Sequence, residues 1–192
     1  MTFKLVVLAS GRGSNFQAIL DAINRKECNV SVLALISDKK DAPVLKIAKQ
    51  NSINSHLISR KNFASYQNFE DALFDTISKY NPDLVVLAGY MKVIHSKKIL
   101  ESFKIINIHP SLLPKYRGLD AQKQAFDAGE KVSGLTIHLV DSTLDGGKIL
   151  YQTKVDISDC KNADDVSKKI LHYEHLSYPS IIQKIASGQI KI

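Results

Sequence analysis

The sequence predicts an α/β protein built on a doubly wound, mainly parallel sheet with an antiparallel C-terminal extension. Short apolar runs that suit buried strands alternate with segments of helical period through the first hundred residues. A glycine-rich turn joins the first of these strands to the first helix. Near the C-terminus, two strands follow one another through the tight turn Asp145-Gly146-Gly147, without a helix between them. The first two features predict parallel strands, and the third predicts an antiparallel pair.

The N-terminal half has a Rossmann-like order of elements. Residues 5–9 form a continuous apolar run typical of a strand buried on both faces. Strands separated by helices of this length imply right-handed crossovers and hence parallel pairing. The further strands are predicted over residues 30–36, 56–58, 84–88 and 103–108, and the helices over 15–25, 42–50 and 62–80.

The pattern of predicted elements changes after Pro114. Residues 115–118 suit a loop, and the composition of residues 115–121 suits a mobile lid. A short helix is predicted over 121–128, strands over 134–140 and 149–155, and a final helix over 163–186 that breaks or bends at Pro179. Because repeats and interdomain linkers are absent from the sequence, we expect one domain over residues 1–192. Its two halves are a phosphate- or nucleotide-binding half (1–100) and a catalytic half (101–192).

Composition excludes several classes of protein. The formal net charge is +7, but the lysine pairs are scattered and lack interleaved aromatic residues, so we expect anionic small-molecule substrates and no nucleic acid. No apolar run is long enough for a signal peptide or a membrane span, which predicts a cytoplasmic protein with no membrane partner. Cys28 and Cys160 lack ligand spacing and are expected to be reduced. His172 and His175 alone are weak grounds for zinc, so no metal is predicted.

The sequence ASGRGSNF follows the first strand and indicates an anion site. Gly11 and Gly13 let the backbone turn tightly, and Ser14 or Asn15 can cap the helix, whose free amides then face a phosphate. A dinucleotide fingerprint would place a third glycine where Phe16 stands, so a monophosphate is favoured over NAD and a dehydrogenase is disfavoured. A plain glycine-rich turn is the structural alternative.

Two polar residues lie at the end of the strand predicted over 103–108. Asn107 and His109 are two positions apart and therefore share one face, and Pro110 ends the strand beyond them. An amide and an imidazole in one crevice can stabilise a developing oxyanion. If Asp145 approaches His109, its charge favours the imidazolium form, which gives a general acid. The alternatives are a turn-capping asparagine, a structural histidine and an ordinary turn aspartate.

Taken together, these residues resemble the folate-dependent glycinamide ribonucleotide formyltransferases of purine synthesis. The Asn-x-His-Pro segment with a downstream LDGG is specific for the wider formyltransferase-fold group, and SGRGSN selects this member. The similarity runs from about Leu5 to the C-terminus. It is carried by SGRGSN (10–15), LAGYMKVI (87–94), INIHPSLLPKYRG (106–118), LDGG (144–147) and YEHLSYP (173–179).

The resemblance implies a formyltransferase fold and a transferase of one-carbon metabolism. Such an enzyme moves the formyl group of its co-substrate, 10-formyltetrahydrofolate, to the primary amine of glycinamide ribonucleotide. The products are formylglycinamide ribonucleotide and tetrahydrofolate, on the route to IMP, and no metal is needed. Its partners are these small molecules, and the resemblance is compatible with either a monomer or a homodimer.

The resemblance also implies residue roles. The catalytic trio is Asn107, His109 and Asp145. The substrate-binding residues are Gly13, Ser14 and Asn15 at the phosphate and Glu174 at the ribose. The segments whose backbone holds the pterin are Met91, Lys92, Val93 and Ile94, and Asp141, Ser142, Thr143 and Leu144. The half over 101–192 is thus the catalytic and folate-binding half.

Two departures and three alternatives accompany this interpretation. Some members have an arginine near Tyr66, which therefore receives no role, and Lys92 replaces an arginine, keeping the charge but losing its bidentate geometry. A formyltetrahydrofolate deformylase would have an added N-terminal domain and His-Ser-Phe where Pro110-Ser111-Leu112 stands. A methionyl-tRNA formyltransferase would have an added C-terminal domain. A non-catalytic nucleotide-binding module would not need the Asn107 and His109 pair.

Overall fold

The computed structural model describes residues 2–192 and contains, over that range, seven β-strands and six α-helices. In chain order they are β1 (Phe3–Leu8), α1 (Ser14–Asn24), β2 (Val30–Ser37), α2 (Pro43–Gln50), β3 (Asn54–Leu57), α3 (Tyr66–Ser78), β4 (Leu84–Leu87), α4 (Lys97–Ser102), β5 (Ile105–His109), α5 (Ala121–Asp127), β6 (Val132–Leu139), β7 (Ile149–Asp156) and α6 (Ala163–Ala186).

The strands form one sheet in the order β3-β2-β1-β4-β5-β6-β7. Strands β1 to β5 are parallel to one another, whereas β6 is antiparallel to β5 and β7 is antiparallel to β6. The chain starts at the centre of the sheet, winds to one edge, returns and then winds to the other edge. The predicted doubly wound sheet with an antiparallel extension is confirmed.

The central strands of the sheet are buried on both faces, as the apolar runs predict. Successive residues of β1 point to opposite faces, so Leu5 and Val7 pack in one apolar cluster while Val6 and Leu8 pack in another. The first cluster includes side chains from α1, α2, α5 and α6, and the second includes side chains from α3 and α4. Among residues 2–192, no helix combines the length and the apolar character that a bilayer span requires.

Several boundaries differ from the sequence prediction, and a serine cap sets the start of one of the predicted helices. The helix predicted from residue 62 begins at Tyr66, since the Ser65 hydroxyl accepts the amide N–H of Asn68 after a short 3₁₀ turn. The strand predicted from residue 103 begins at Ile105, and an unpredicted helix, α4, ends before it at Ser102. Its cap is Ser96, whose hydroxyl accepts the amide of Ile99.

The break considered at Pro179 does not occur, and α6 continues through it to Ala186. A proline inside a helix costs about 3 kcal/mol because it removes one backbone hydrogen bond. Tyr178, Ile181 and Ile182 flank the proline and are at most 2% exposed. The burial of these side chains outweighs the cost of the proline and keeps the helix continuous.

Candidate active site

The carboxyl ends of the parallel strands place the polar residues in one region. β4 lies between β1 and β5, so the loop after β1, the segment after β4 and the end of β5 are neighbours. The register sets Leu87 of β4 against Asn107 of β5. In open α/β sheets, ligands bind at this end of the strands.

Asn107, His109 and Asp145 meet at the end of β5. The Nδ1 atom of His109 lies 3.4 Å from Oδ2 of Asp145, and the two side chains are only 6% and 10% exposed. The Nδ2 atom of Asn107 donates to Oδ1 of Asp145 at 3.5 Å. The predicted approach of Asp145 to His109 is therefore present in the structure, although the carboxylate lies 36 positions from that histidine in the chain.

The imidazole of His109 faces an acceptor at each nitrogen. Its Nε2 atom lies 2.7 Å from the backbone carbonyl oxygen of Tyr116, which can only accept, so Nε2 carries a proton. Its Nδ1 atom faces the carboxylate of Asp145. This arrangement suits an imidazolium, because both of its N–H groups then point at oxygen atoms.

The carboxylate of Asp145 is held in its ionised form. Burial disfavours the charge, but the contact with His138, the amide of Gly118 and the adjacent imidazoles outweigh burial and hold the pKa of Asp145 below its usual value. The Gly118 amide donates to Oδ2 at 2.9 Å. An aspartate with a lowered pKa is charged throughout the neutral range and can stabilise a neighbouring imidazolium.

The turn that carries Asp145 depends on the glycines that follow it. Asp145 itself has a left-handed backbone with φ of 46°. A Cβ atom on Gly147 would lie 1.9 Å from the carbonyl oxygen of Leu139, so only glycine lets the turn close against the end of β6. The LDGG motif is therefore a geometric requirement for bringing this carboxylate to the trio.

His138 belongs to the same cluster, although the sequence analysis assigned it no role. Its Nε2 atom lies 3.3 Å from Nδ2 of Asn107 and 3.7 Å from Oδ1 of Asp145, and the residue is 2% exposed. Its Nδ1 atom donates to the carbonyl of Leu139 at 2.8 Å, and its Nε2 atom faces both Asn107 and Asp145. The signal in the sequence was the polar face of the predicted strand 134–140, which carries Thr136 and His138 two positions apart.

The loop after β1 leaves helix amides open at the start of α1. Gly13 is the N-cap, with φ of 79°, and no side chain caps the helix. The expectation that Ser14 or Asn15 caps α1 is wrong, because the cap position falls one residue earlier, on Gly13, and the Asn15 side chain bonds elsewhere. Uncapped amides at a helix N-terminus suit an anion.

Asn15 pairs with Glu174 of α6. The Nδ2 atom of Asn15 donates to Oε2 of Glu174 at 2.7 Å, and both residues are more than nine-tenths buried. Burial raises the pKa of Glu174, and the Asn15 hydrogen bond opposes the shift only in part. The structure therefore brings the four residues assigned to substrate binding, Gly13, Ser14, Asn15 and Glu174, to one place.

The two segments assigned to the pterin are largely exposed loops. Met91 and Val93 are exposed apolar side chains, Lys92 is partly exposed, and Ile94 packs in the core under α3 and α4. The second segment is exposed at every position, namely Asp141, Ser142, Thr143 and Leu144. Its fold comes from a local turn, in which the Asp141 carboxylate accepts the Thr143 amide at 2.8 Å.

Outside this cluster, the titratable residues offer little further chemistry. Both cysteines are free, and burial raises the pKa of Cys28 to about 11, which keeps that thiol protonated and unreactive. Over the described range of 2–192, no group of three or more His, Cys, Asp and Glu side chains is arranged to hold a metal ion. The trio and the phosphate loop are therefore the candidate site.

The arrangement can support attack on a carbonyl carbon. The Asn107 amide and the His109 imidazolium supply N–H donors in a buried position, where such donors are worth more than in water. The Asp145 carboxylate faces Nδ1 of the histidine and orients its ring. The open amides of α1 can hold a substrate by its phosphate at the neighbouring strand end.

Comparison with known proteins identifies the family of the chain. Residues 3–182 match the family model described as "Formyl transferase". The phosphoribosylglycinamide formyltransferase of Escherichia coli is 38% identical over 98% of this chain and 89% of its own length, and that of Bacillus subtilis is 38% identical over 95% of this chain and 94% of its own length. The crystal structure of glycinamide ribonucleotide transformylase 1 from Symbiobacterium toebii superposes with a TM-score of 0.95 at 37% identity, covering 100% of this chain and 91% of that one. The chain belongs to the formyl transferase family.

Proposed function

We propose that this protein is a phosphoribosylglycinamide formyltransferase. It transfers the formyl group of 10-formyltetrahydrofolate to the primary amine of glycinamide ribonucleotide, a step of purine biosynthesis. The observation that carries the proposal is the buried trio, with His109 Nδ1 at 3.4 Å and Asn107 Nδ2 at 3.5 Å from the Asp145 carboxylate. This trio lies beside a helix N-terminus that has no side-chain cap.

Binding of the phosphorylated amine uses the loop after β1 and the start of α6. The open amides at Gly13, Ser14 and Asn15 donate hydrogen bonds to the phosphate, and the positive end of the α1 dipole adds to the attraction. The Glu174 carboxylate is hydrogen-bonded to Asn15, next to these amides. It accepts hydrogen bonds from the ribose hydroxyl groups. This fixes the amine relative to the end of β5.

The reaction is direct transfer through a tetrahedral intermediate. The amine attacks the formyl carbon, so a new C–N bond forms and the carbonyl oxygen gains negative charge. Asn107 and the His109 imidazolium donate hydrogen bonds to that oxygen, and Asp145 holds the imidazolium in place. The intermediate then collapses, the bond from carbon to N10 of the folate breaks, and a proton from the former amine reaches N10 through water or through His109.

The folate binds along residues 91–94 and 141–144. Both segments lie next to the strands that carry the trio, and Met91 and Leu144 expose apolar side chains at 54% and 53%. An aromatic pterin and its linker bury such side chains on binding. Positioning the donor here against the anchored amine accounts for much of the rate.

The experiment follows folate absorbance while the formyl donor is mixed with protein, with and without glycinamide ribonucleotide. Transfer predicts turnover only when both substrates are present. Donor consumption at the same rate without the amine contradicts transfer and supports the deformylase alternative. Donor binding without turnover in either mixture supports a non-catalytic binding module.

The proposal also covers the compartment of the enzyme and its oligomeric state. We expect an enzyme of the cytoplasm, where its small-molecule substrates are found, and a homodimer is the assembly to test against a monomer. Light scattering distinguishes one chain mass from twice that mass across a range of concentrations. A mass of one chain at every concentration contradicts the homodimer.

A further inference from the structure

Residues 91–96 form the second part of the connection between β4 and α4, and they are held by side chains that the proposed reaction does not use. The Oγ atom of Ser10, in the loop after β1, accepts the amide N–H of Met91 at 2.8 Å. The hydroxyl of Tyr66, at the start of α3, donates to the carbonyl oxygen of Val93 at 2.6 Å. These bonds fix the backbone while Met91 and Val93 keep exposed fractions of 54% and 40%.

Glu70 fixes the other end of the same segment. Its Oε1 atom accepts the backbone amides of His95 and Ser96 at 2.5 Å and 3.0 Å, and the residue is only 3% exposed. A buried carboxylate is costly unless it is paired or hydrogen-bonded. Between Thr2 and Ile192, the ion pairs of the structure do not include Glu70. The two amides are thus the partners that account for this buried acid.

Tyr66 and Glu70 act from one face of one helix. They are four positions apart on α3, which places their side chains one above the other. Their partners are a carbonyl and two amides in consecutive parts of residues 91–96. The ring of Tyr66 is itself packed edge-on against Phe69 and His95, with ring centroids 5.5 Å and 5.4 Å apart. The helix therefore acts as a rigid support behind an exposed apolar segment.

We propose that Tyr66 and Glu70 are positioning residues for the folate donor, and that they set the backbone shape of residues 91–96 without contacting the reacting atoms. The inference rests on the proposed function, since it assumes that this segment binds the donor. It assigns a role to Tyr66 that the sequence left open. Loss of either support loosens the donor site and leaves the phosphate loop and the trio intact.

The first test is Tyr66→Phe, which removes one hydroxyl and keeps the ring. The KM for the formyl donor is expected to rise about 3–10-fold, the effect of one lost hydrogen bond. The KM for the phosphorylated amine and kcat are expected to stay within about twofold of the parent. The matched control is Tyr80→Phe, which also loses one side-chain hydrogen bond, to His56 at 2.6 Å, and is expected to change neither KM.

The second test compares Glu70→Ala with Glu70→Gln. Glutamine keeps an oxygen that can accept both amides, so its donor KM is expected within about threefold of the parent, whereas alanine raises it by about tenfold or more. Calorimetric titration with tetrahydrofolate gives a readout independent of turnover and should follow the same order. Thermal melting shows which variants are folded, and Tyr66→Phe still provides a test if Glu70→Ala is not.

Two outcomes overturn the inference. One is an unchanged donor KM and unchanged tetrahydrofolate binding in Tyr66→Phe and in folded Glu70→Ala. The other is an equal rise in the KM of both substrates, which indicates general loosening of the fold. Failure of the proposed function looks different, because the parent enzyme itself then shows no transfer of the formyl group.

Discussion

Histidine 109 is the residue on which the proposed chemistry depends most. Replacing it with alanine removes an N–H donor to the oxyanion, and we expect kcat to fall by about 10²–10³-fold. His172→Ala is the control, since that histidine is exposed on α6. Activity of His109→Ala within about tenfold of the parent amounts to only about 1.4 kcal/mol of barrier and contradicts the assigned role.

Glutamate 174 links function to stability through its protonation. Burial raises its pKa above the unfolded value, so the folded state binds the proton more readily. Its contribution to stability is therefore greatest below the unfolded pKa and falls as pH rises through the window up to the raised value. Above that window, the folded protein carries the full cost of a buried charge.

Substituting Glu174→Gln tests this linkage. We expect the melting temperature to rise at pH 8, by about 2–4 °C for each 1 kcal/mol relieved, and the gain to shrink as pH is lowered towards 5. The KM for the phosphorylated amine should increase in the same variant, because the ribose loses a charged acceptor. A variant that is less stable than the parent at pH 8 would contradict the account.

The residues of the trio could be predicted from the sequence, but not all of the residues around them. The period of two along a strand placed Asn107 and His109 on one face, and no structure was needed for that. His138 required the register between β5 and β6, which sets it opposite Asn107 and which the sequence does not encode locally. The contact of Asn15 with Glu174 spans 159 positions, so only the family resemblance indicated that both belong to one site.

At the scale of elements, the loop between β1 and α1 contains a position that only glycine can occupy. Gly13 has φ of 79°, and a Cβ atom there would lie 2.5 Å from Cγ2 of Val44 in α2. Gly129 has a similar φ of 68°, but a Cβ atom there would meet nothing within 4 Å. The two glycines therefore separate the cost of the backbone conformation from the cost of crowding.

Gly13→Ala and Gly129→Ala form a matched pair. We expect Gly129→Ala to lose about 1–2 kcal/mol of stability from the left-handed conformation alone. Gly13→Ala should lose about 1–3 kcal/mol more from the contact with Val44, and its KM for the phosphorylated amine should rise at least about tenfold. Urea unfolding and steady-state kinetics check both, and equal losses in the two variants would contradict the role given to Val44.

Elements with strong periodicity were predictable, and their ends were not. The central parallel strands, such as β1 and β4, were found from their apolar runs, because burial on both faces leaves few polar residues in them. The short helix α4 was not predicted, because its six residues make fewer than two helical turns and show no clear periodicity. Its start depends on the hydroxyl of Ser96. Caps involve single hydrogen bonds, which composition over a window does not reveal.

At the scale of the whole molecule, α6 fastens the centre of the sheet. The buried hydroxyl of Tyr178 donates to the carbonyl of Leu87 at 2.8 Å and lies 3.3 Å from the carbonyl of Ile106, so it joins β4, β5 and α6. Phenylalanine at this position takes a hydrogen-bond donor away from these two carbonyl groups. We expect Tyr178→Phe to lower the free energy of unfolding by about 1–3 kcal/mol in urea unfolding.

The control for Tyr178→Phe is Tyr173→Phe, on the same helix, where the side chain is 36% exposed. That variant should unfold within about 0.5 kcal/mol of the parent, as surface substitutions usually do. If the two variants unfold alike, the hydroxyl of Tyr178 does not hold the sheet and the helix together.

The continuous sheet also predicts that residues 1–192 behave as one domain. β4 and β5 are hydrogen-bonded partners, and they fall on opposite sides of the proposed division near residue 100. Because neither half completes its sheet alone, we expect a single unfolding transition. Tyrosine fluorescence and far-ultraviolet circular dichroism should give coincident curves, and two separated transitions would contradict a single domain.

The carbonyl of Tyr116 that covers Nε2 of His109 restricts how this ring can handle protons. With that nitrogen engaged by the backbone, only Nδ1 can exchange hydrogen with the reactants, because its 3.4 Å contact with the Asp145 carboxylate is longer than a good hydrogen bond. The ring then cannot take up a proton at one nitrogen and release it from the other. Any hydrogen that crosses the distance from the attacking amine to N10 must therefore be carried by solvent in the cleft, or be handed back by the same nitrogen that received it.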